Sequence, residues 1–99
     1  KRILKRTGVG IARTGGYTGH GSGEVMIGFT TANRIPSGRE EELLQLSAIP
    51  EHVINRAFLA AAEAEQEAIL NSMTAAEQTR GREGELYYSL AEYLNDREA

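Results

Sequence analysis

The stretch GGYTGHGSGEVMIGF, residues 15–29, holds six glycines in fifteen residues and then turns into a strand. Glycine loses more conformational freedom on folding than any other residue, so it gathers where backbone takes unusual angles or approaches something closely. The alternation in EVMIGFTT predicts a strand over residues 24–31, with Val25, Ile27 and Phe29 on one side and Glu24, Met26, Gly28 and Thr30 on the other. A single strand cannot satisfy its own backbone hydrogen bonds. No second convincing strand is legible, so its mate must lie elsewhere. The predicted fold class is therefore α/β, with this chain a mostly helical fragment or subunit of a larger α/β body.

Upstream, KRILKRTGVGIAR over residues 1–13 suits a helix, weakened by Gly8 and Gly10. Downstream, residues 32–47 are polar and irregular and read as a surface connection, with a short helical turn at Glu41–Leu46. Asn33 reads as a turn residue bonding its own backbone, at a strand end where sites and interfaces collect. Ser47-Ala48-Ile49-Pro50-Glu51 is a helix start, because Pro suits the first helical position and an acid follows it. That helix is expected to run to about Thr79. Its buried stripe is Ile54, Ala57, Phe58, Ala61, Ala64, Ala68 and Ile69, and its many alanines let another element approach closely. Gly81 and Gly84 are expected to end it. A second amphipathic helix is expected over residues 85–97, with Leu86, Leu90 and Leu94 at four-residue spacing.

Composition bounds the function. The chain has 99 residues, enough for one small domain, and 40% of them are apolar. With no cysteine, a thiolate metal site and a Cys nucleophile are excluded for these residues. His20 and His52 are too far apart in sequence to read as a local metal pair, and no cofactor is expected. Residues 1–39 carry seven Lys or Arg and one Glu, whereas residues 40–99 carry four Arg and thirteen acids. The basic residues sit at helical spacing with few aromatics, which reads as a solvated helix face rather than a nucleic-acid surface. No apolar run is long enough for a membrane span. No apolar leader core follows KRILKR, and the expected compartment is the cytoplasm.

Phosphate loops fail on order and content. The dinucleotide fingerprint needs strand, glycine loop, then helix, whereas here the loop precedes the strand. Gly-Lys-Ser and Gly-Lys-Thr are absent, and His20 and Glu24 occupy the glycine positions of a G-x-S-x-G elbow. What remains is a site at the strand's entrance. Ser22 and Glu24 are two apart, so in extended backbone both leave the same face, roughly 7 Å apart at the root. A hydroxyl and a carboxylate could converge there on one small group, with Gly21 and Gly23 letting that group reach the backbone. Spacing alone leaves open a glycine-rich turn whose Ser caps backbone and whose Glu is solvated.

GHGSGEVMIGFTTAN, preceded by GIARTGG, resembles the signature of the L-aminopeptidase/D-esterase family, which includes the β-peptidyl aminopeptidases. The matching segments are Arg13-Thr14-Gly15, Gly21-Ser22-Gly23-Glu24 and Thr31-Ala32-Asn33. The second half agrees: AEAEQEAILNSMTAAEQTRGREG is similar to the family's late helix, with Glu67-Ala68-Ile69-Leu70-Asn71 and the Gly81-Arg82 exit. The likeness covers most of residues 3–84.

The resemblance implies a precursor that cuts itself into two chains and folds as a four-layer α/β/β/α sandwich, similar in layering to the N-terminal-nucleophile hydrolases. Residues 1–99 would be the C-terminal part of the second subunit, completed by the remaining chains of the same precursor in a homo-oligomer. The implied nucleophile is a Ser at the new N-terminus of that subunit, upstream of Lys1 and outside this chain. The implied activity is aminopeptidase hydrolysis of an amide or ester beside a free N-terminal amine, through a serine acyl-enzyme, on peptides or amino-acid amides and esters. Ser22 and Glu24 align with the serine and glutamate that assist the nucleophile, and no metal or cofactor is implied. Two alternatives stand beside this reading: an acyltransferase resembling ornithine acetyltransferase, and a non-catalytic structural or binding relative.

Overall fold

The computed structural model describes residues 1–38 and 43–98. A 3-10 turn at Leu4–Arg6 leads into α1 (Thr7–Arg13); a second, Glu51–Val53, leads into α2 (Ile54–Ala75). Strands β1 (Thr79–Arg80) and β2 (Leu86–Tyr87) follow, and then α3 (Leu90–Glu98). The regular structure is mostly helical, and β1 and β2 form the one small antiparallel sheet among the described residues.

The helix read over residues 1–13 is present as the 3-10 turn plus α1, and its glycines have a packing reason. Gly10 is buried against α2: a Cβ there would lie 2.6 Å from the Ala62 carbonyl oxygen and 2.6 Å from Glu65 Cβ. The two helix backbones thus touch where both chains are smallest, as the alanine content of α2 predicts. Ala62 is the buried hydrophobic residue of this contact, only 3% exposed. The stripe differs from the predicted one, because Ala64 and Ala68 face solvent while Ala62, Glu65 and Gln66 lie under α1. Residues 58, 62, 65 and 69 share one side of a 3.6-residue helix; 64 and 68 are rotated off it. The basic face is not wholly solvated either. The Arg6 guanidinium stacks 3.8 Å from the Phe58 ring centroid, with Arg2 at 5.5 Å and also 3.4 Å from Glu51.

The helical run begins one residue later than read: Pro50 is extended (ψ 148°) and stands before the 3-10 turn rather than at the first helical position, and α2 itself begins at Ile54. It stops at Ala75, earlier than Thr79, because Ala76 is extended (φ −69°, ψ 142°) and Thr79–Arg80 pairs with Leu86–Tyr87. Gly81 and Gly84 belong to the hairpin loop rather than to a helix end: the Gly81 N–H donates to Glu85 O at 2.8 Å and the Gly84 N–H to Gly81 O at 3.1 Å. The second helix consequently begins at Leu90, not 85. Its start is a capping box, with the Ser89 hydroxyl and N–H both donating to Glu92 Oε2 (3.0 and 2.8 Å) and the Glu92 N–H donating to Ser89 Oγ (3.2 Å).

The hairpin loop is organised by Glu85. Its carboxyl is held below the usual carboxylate value by hydrogen bonds, first from its own backbone N–H, then from the Tyr87 hydroxyl and the Glu83 N–H, against an opposing desolvation effect. A carboxylate lowered in the folded state contributes stability that is complete above its unfolded pKa and is lost as pH falls through the folded value. The protection of amides 79–87, corrected for the intrinsic pH dependence of exchange, is therefore expected to hold above the ordinary Glu range and to fall as the pH drops below it. Glu85→Gln should flatten that dependence.

Residues 24–31 correct the strand prediction in part. Residues 24–30 form no helix or turn and their exposure alternates as read, but Thr31 is a bend and the segment carries no ladder with any described residue. Met26, 37% exposed, and Gly28 lie toward the first helical segment, where a Cβ on Gly28 would sit 2.6 Å from Leu4 Cδ2. Val25, Ile27 and Phe29 face away and are 87–94% exposed.

The connection that follows is on the surface wherever it is described. Of the predicted helical turn, Glu41 and Glu42 lie outside the described residues, and Leu43–Leu46 has no helical structure. Asn33 does not bond its own backbone. Its side chain clasps Ser47, with Nδ2 donating to Ser47 O (2.8 Å) and Oδ1 accepting from the Ser47 N–H (2.7 Å). Asn33→Ala should cost about 1–2 kcal/mol through the two lost bonds. Limited proteolysis should then cut faster between residues 34 and 46.

The described residues are spread widely, with a radius of gyration of 19.6 Å against about 13 Å for a compact domain of this length. No helix among them is long and apolar enough to cross a membrane.

Candidate functional site

The end of α1 builds the site. Gly15, at φ +100°, takes the left-handed conformation that closes a helix with glycine. Its N–H donates to Ala12 O and the Gly16 N–H donates to Ile11 O, both at 3.1 Å. The Thr14 hydroxyl adds a bond to Ile11 O at 2.8 Å. Arg13-Thr14-Gly15-Gly16 is thus a helix stop, and it launches the next residues at a fixed angle. The sequence carried this signal as a Gly-Gly pair just past the C-cap Thr14.

Beyond the stop, Thr18 has φ +53°, an outlier for a β-branched residue that stores about 1–3 kcal/mol. The Ser22 N–H donates to Gly19 O at 2.9 Å, closing a turn that ends at Ser22. There the two predicted residues meet: Ser22 Oγ donates to Glu24 Oε1 at 2.9 Å. Both line an open cup of about 350 Å³ formed by residues 15–22 and Glu24.

The arrangement has definite chemical capacity. A hydroxyl whose proton is directed to a carboxylate keeps its lone pairs free to accept a hydrogen bond from an amine or hydroxyl. The carboxylate keeps its second oxygen for a positive charge, and the charge-assisted bond fixes the geometry of both. Among the described residues nothing lies within 4 Å of where a Cβ would stand on Gly21 or Gly23, so no described neighbour requires glycine there. Tyr17, Thr18 and His20 also line the cup; sequence reading of the stretch as glycine loop passed over the first two. Among the described residues no three His, Asp or Glu side chains come together as a metal site.

The profile of "Peptidase family S58" matches residues 1–87, which includes the helix stop, the cup and α2. The chain belongs to this peptidase family. Similar curated proteins are the β-peptidyl aminopeptidases BapA of Sphingosinicella microcystinivorans, 32% identical over 85% of this chain, and of Sphingosinicella xenopeptidilytica, 28% identical over 91%. Among solved structures, the PH0078 protein of Pyrococcus horikoshii OT3 superposes over 97% of this chain with a TM-score of 0.86 and 44% identity. The S58 chain spans 21–23% of the curated relatives' length and 27% of the solved one.

Proposed function

We propose that these residues are the C-terminal part of the nucleophile-bearing subunit of an S58 aminopeptidase. The enzyme cleaves an amide or ester beside a free N-terminal amine through a serine acyl-enzyme, after its precursor has cut itself into two chains. The observation that carries the reading is the Ser22–Glu24 bond at the rim of an open cup. A serine hydroxyl is a weak nucleophile at its free pKa and needs an adjacent base, which a free α-amine supplies. Ser22 accepts from that amine or hydroxyl, and the Glu24 carboxylate steadies the positive charge the amine gains when it takes the proton.

Three further observations support completion by other chains. The strand-like segment 24–31 has no ladder, its apolar face is bare, and the described residues are extended far beyond a compact domain. Glycines at 21 and 23 leave room for an incoming N-terminus and an acyl group. Purified full-length protein tests the reading. Expected are two chains by intact mass, a Ser at the N-terminus of the second by sequencing, and a pre-steady-state burst on an amino-acid p-nitroanilide. An uncut, inactive chain would overturn it.

A further inference from the structure

Tyr17 is the one phenol lining the cup, and the residue is 86% exposed. It is nevertheless held in place. A Cβ on Gly19 would stand 3.1 Å from Tyr17 Cε2 and 3.4 Å from its hydroxyl oxygen, so the ring lies back over bare Gly19 backbone. The left-handed Thr18 between them sets the direction, and its hydroxyl donates to Tyr17 O at 2.7 Å. The helix stop at Gly15 anchors this loop upstream, and the bond from the Ser22 N–H to Gly19 O anchors it downstream. Strained backbone persists only where its surroundings over-determine it, and it clusters at ligand-holding positions.

The cup is thereby two-sided. Ser22 and Glu24 form a polar rim, and Tyr17 presents an aromatic surface, largely exposed, in the same concavity. A pocket that combines a small polar set with an apolar wall orients one end of a ligand and selects its body. In a reaction at the carbonyl of an N-terminal residue, the side chain of that residue is the body that must lie beside the polar rim.

We propose that Tyr17 is a specificity-determining residue: its ring is the wall against which the side chain of the substrate's N-terminal residue packs, favouring large apolar side chains over small ones. This rests on the aminopeptidase reading above. Thr18 is the positioning residue that sets the ring.

The test compares full-length wild type, Tyr17→Ala and Tyr17→Phe on leucine and alanine p-nitroanilides. The expected result is a fall of about tenfold or more in the leucine-to-alanine ratio of kcat/KM for Tyr17→Ala, carried mainly by KM, with Tyr17→Phe keeping the wild-type ratio. A purely structural residue would lower both substrates together. An unchanged ratio in folded Tyr17→Ala would overturn the role of Tyr17 while leaving the aminopeptidase reading intact, whereas no hydrolysis of either substrate by wild type would sink that reading first. Tyr17→Leu provides a second truncating variant. If neither truncated enzyme folds, Tyr17 is an anchor between chains and the proposal fails.

Discussion

Glu24→Gln in the full-length enzyme is expected to lower kcat/KM by about 10²–10⁴, the scale of groups that assist proton transfer, with the melting temperature unchanged. The substitution keeps volume and an accepting oxygen for the Ser22 hydroxyl, so the 2.9 Å contact can persist while the charge is gone. On the mechanism proposed above, what disappears is the field that favours a protonated amine beside the nucleophile. Ser22→Ala should fall in the same range, because it removes the acceptor but not the carboxylate. The double variant should lose far less than the product of the two factors, since groups serving one nucleophile act as a unit. Steady-state hydrolysis of an amino-acid p-nitroanilide by the three variants measures this. A wild-type rate in both single variants would remove the pair from the mechanism.

Gly10→Ala is expected to destabilise by about 1–3 kcal/mol, seen as a lowered melting temperature of the full-length enzyme. Helix propensity alone points the other way, since Ala in a helix interior is favoured over Gly by about 1 kcal/mol. Packing outweighs it because the new Cβ would meet the Ala62 carbonyl at 2.6 Å, and backbone in mid-α2 cannot swing aside. Gly8→Ala in the same short helix is the control. Its Cβ would meet only the flexible tip of Met26, at 3.2 Å, so propensity should prevail and stability hold or rise. If both variants behave alike, the two helices do not touch where Gly10 sits. Displacing α1 also displaces the helix stop that carries the cup, so Gly10→Ala should lower activity as well.

The parts of this chain that local chemistry writes were legible. Ser22 and Glu24 were read as a same-face pair from a spacing of two, and the structure bonds them. The alternation of residues 24–31 and the approach of a helix near Pro50 were readable for the same reason, since each depends on one residue's shape or on a short period, although Pro50 itself stays outside the helix. The errors lie where distant pairing decides. Residues 76–79 look helical by composition, but β1 pairs with β2 and ends α2 at Ala75. The capping box Ser89-Leu90-Ala91-Glu92 was visible and would have moved the start of α3 from 85 to 90, had the Leu86, Leu90, Leu94 spacing not suggested a longer helix. Asn33 looked local because Asn so often is, whereas its partner lies fourteen residues on. The left-handed Thr18 had no signal at all, because nothing in the residue type favours it.

The bare segment at residues 24–31 has a practical consequence for anyone producing this piece of chain. Unpaired donors and acceptors along an extended run, beside three exposed apolar side chains and with no proline within it, are what templates edge-to-edge self-association. Expressed without its complementary chains, the 99-residue piece should form inclusion bodies or fibrillar aggregate, and co-expression with the rest of the precursor should rescue solubility. On the self-processing proposed above, a single-chain precursor would avoid that hazard, because the strands that complete the segment would be tethered at high effective concentration before it is ever exposed. Making two subunits by cutting a folded chain, rather than by translating two messages, would then be a solution to a quality-control problem as much as a way to unmask a nucleophile.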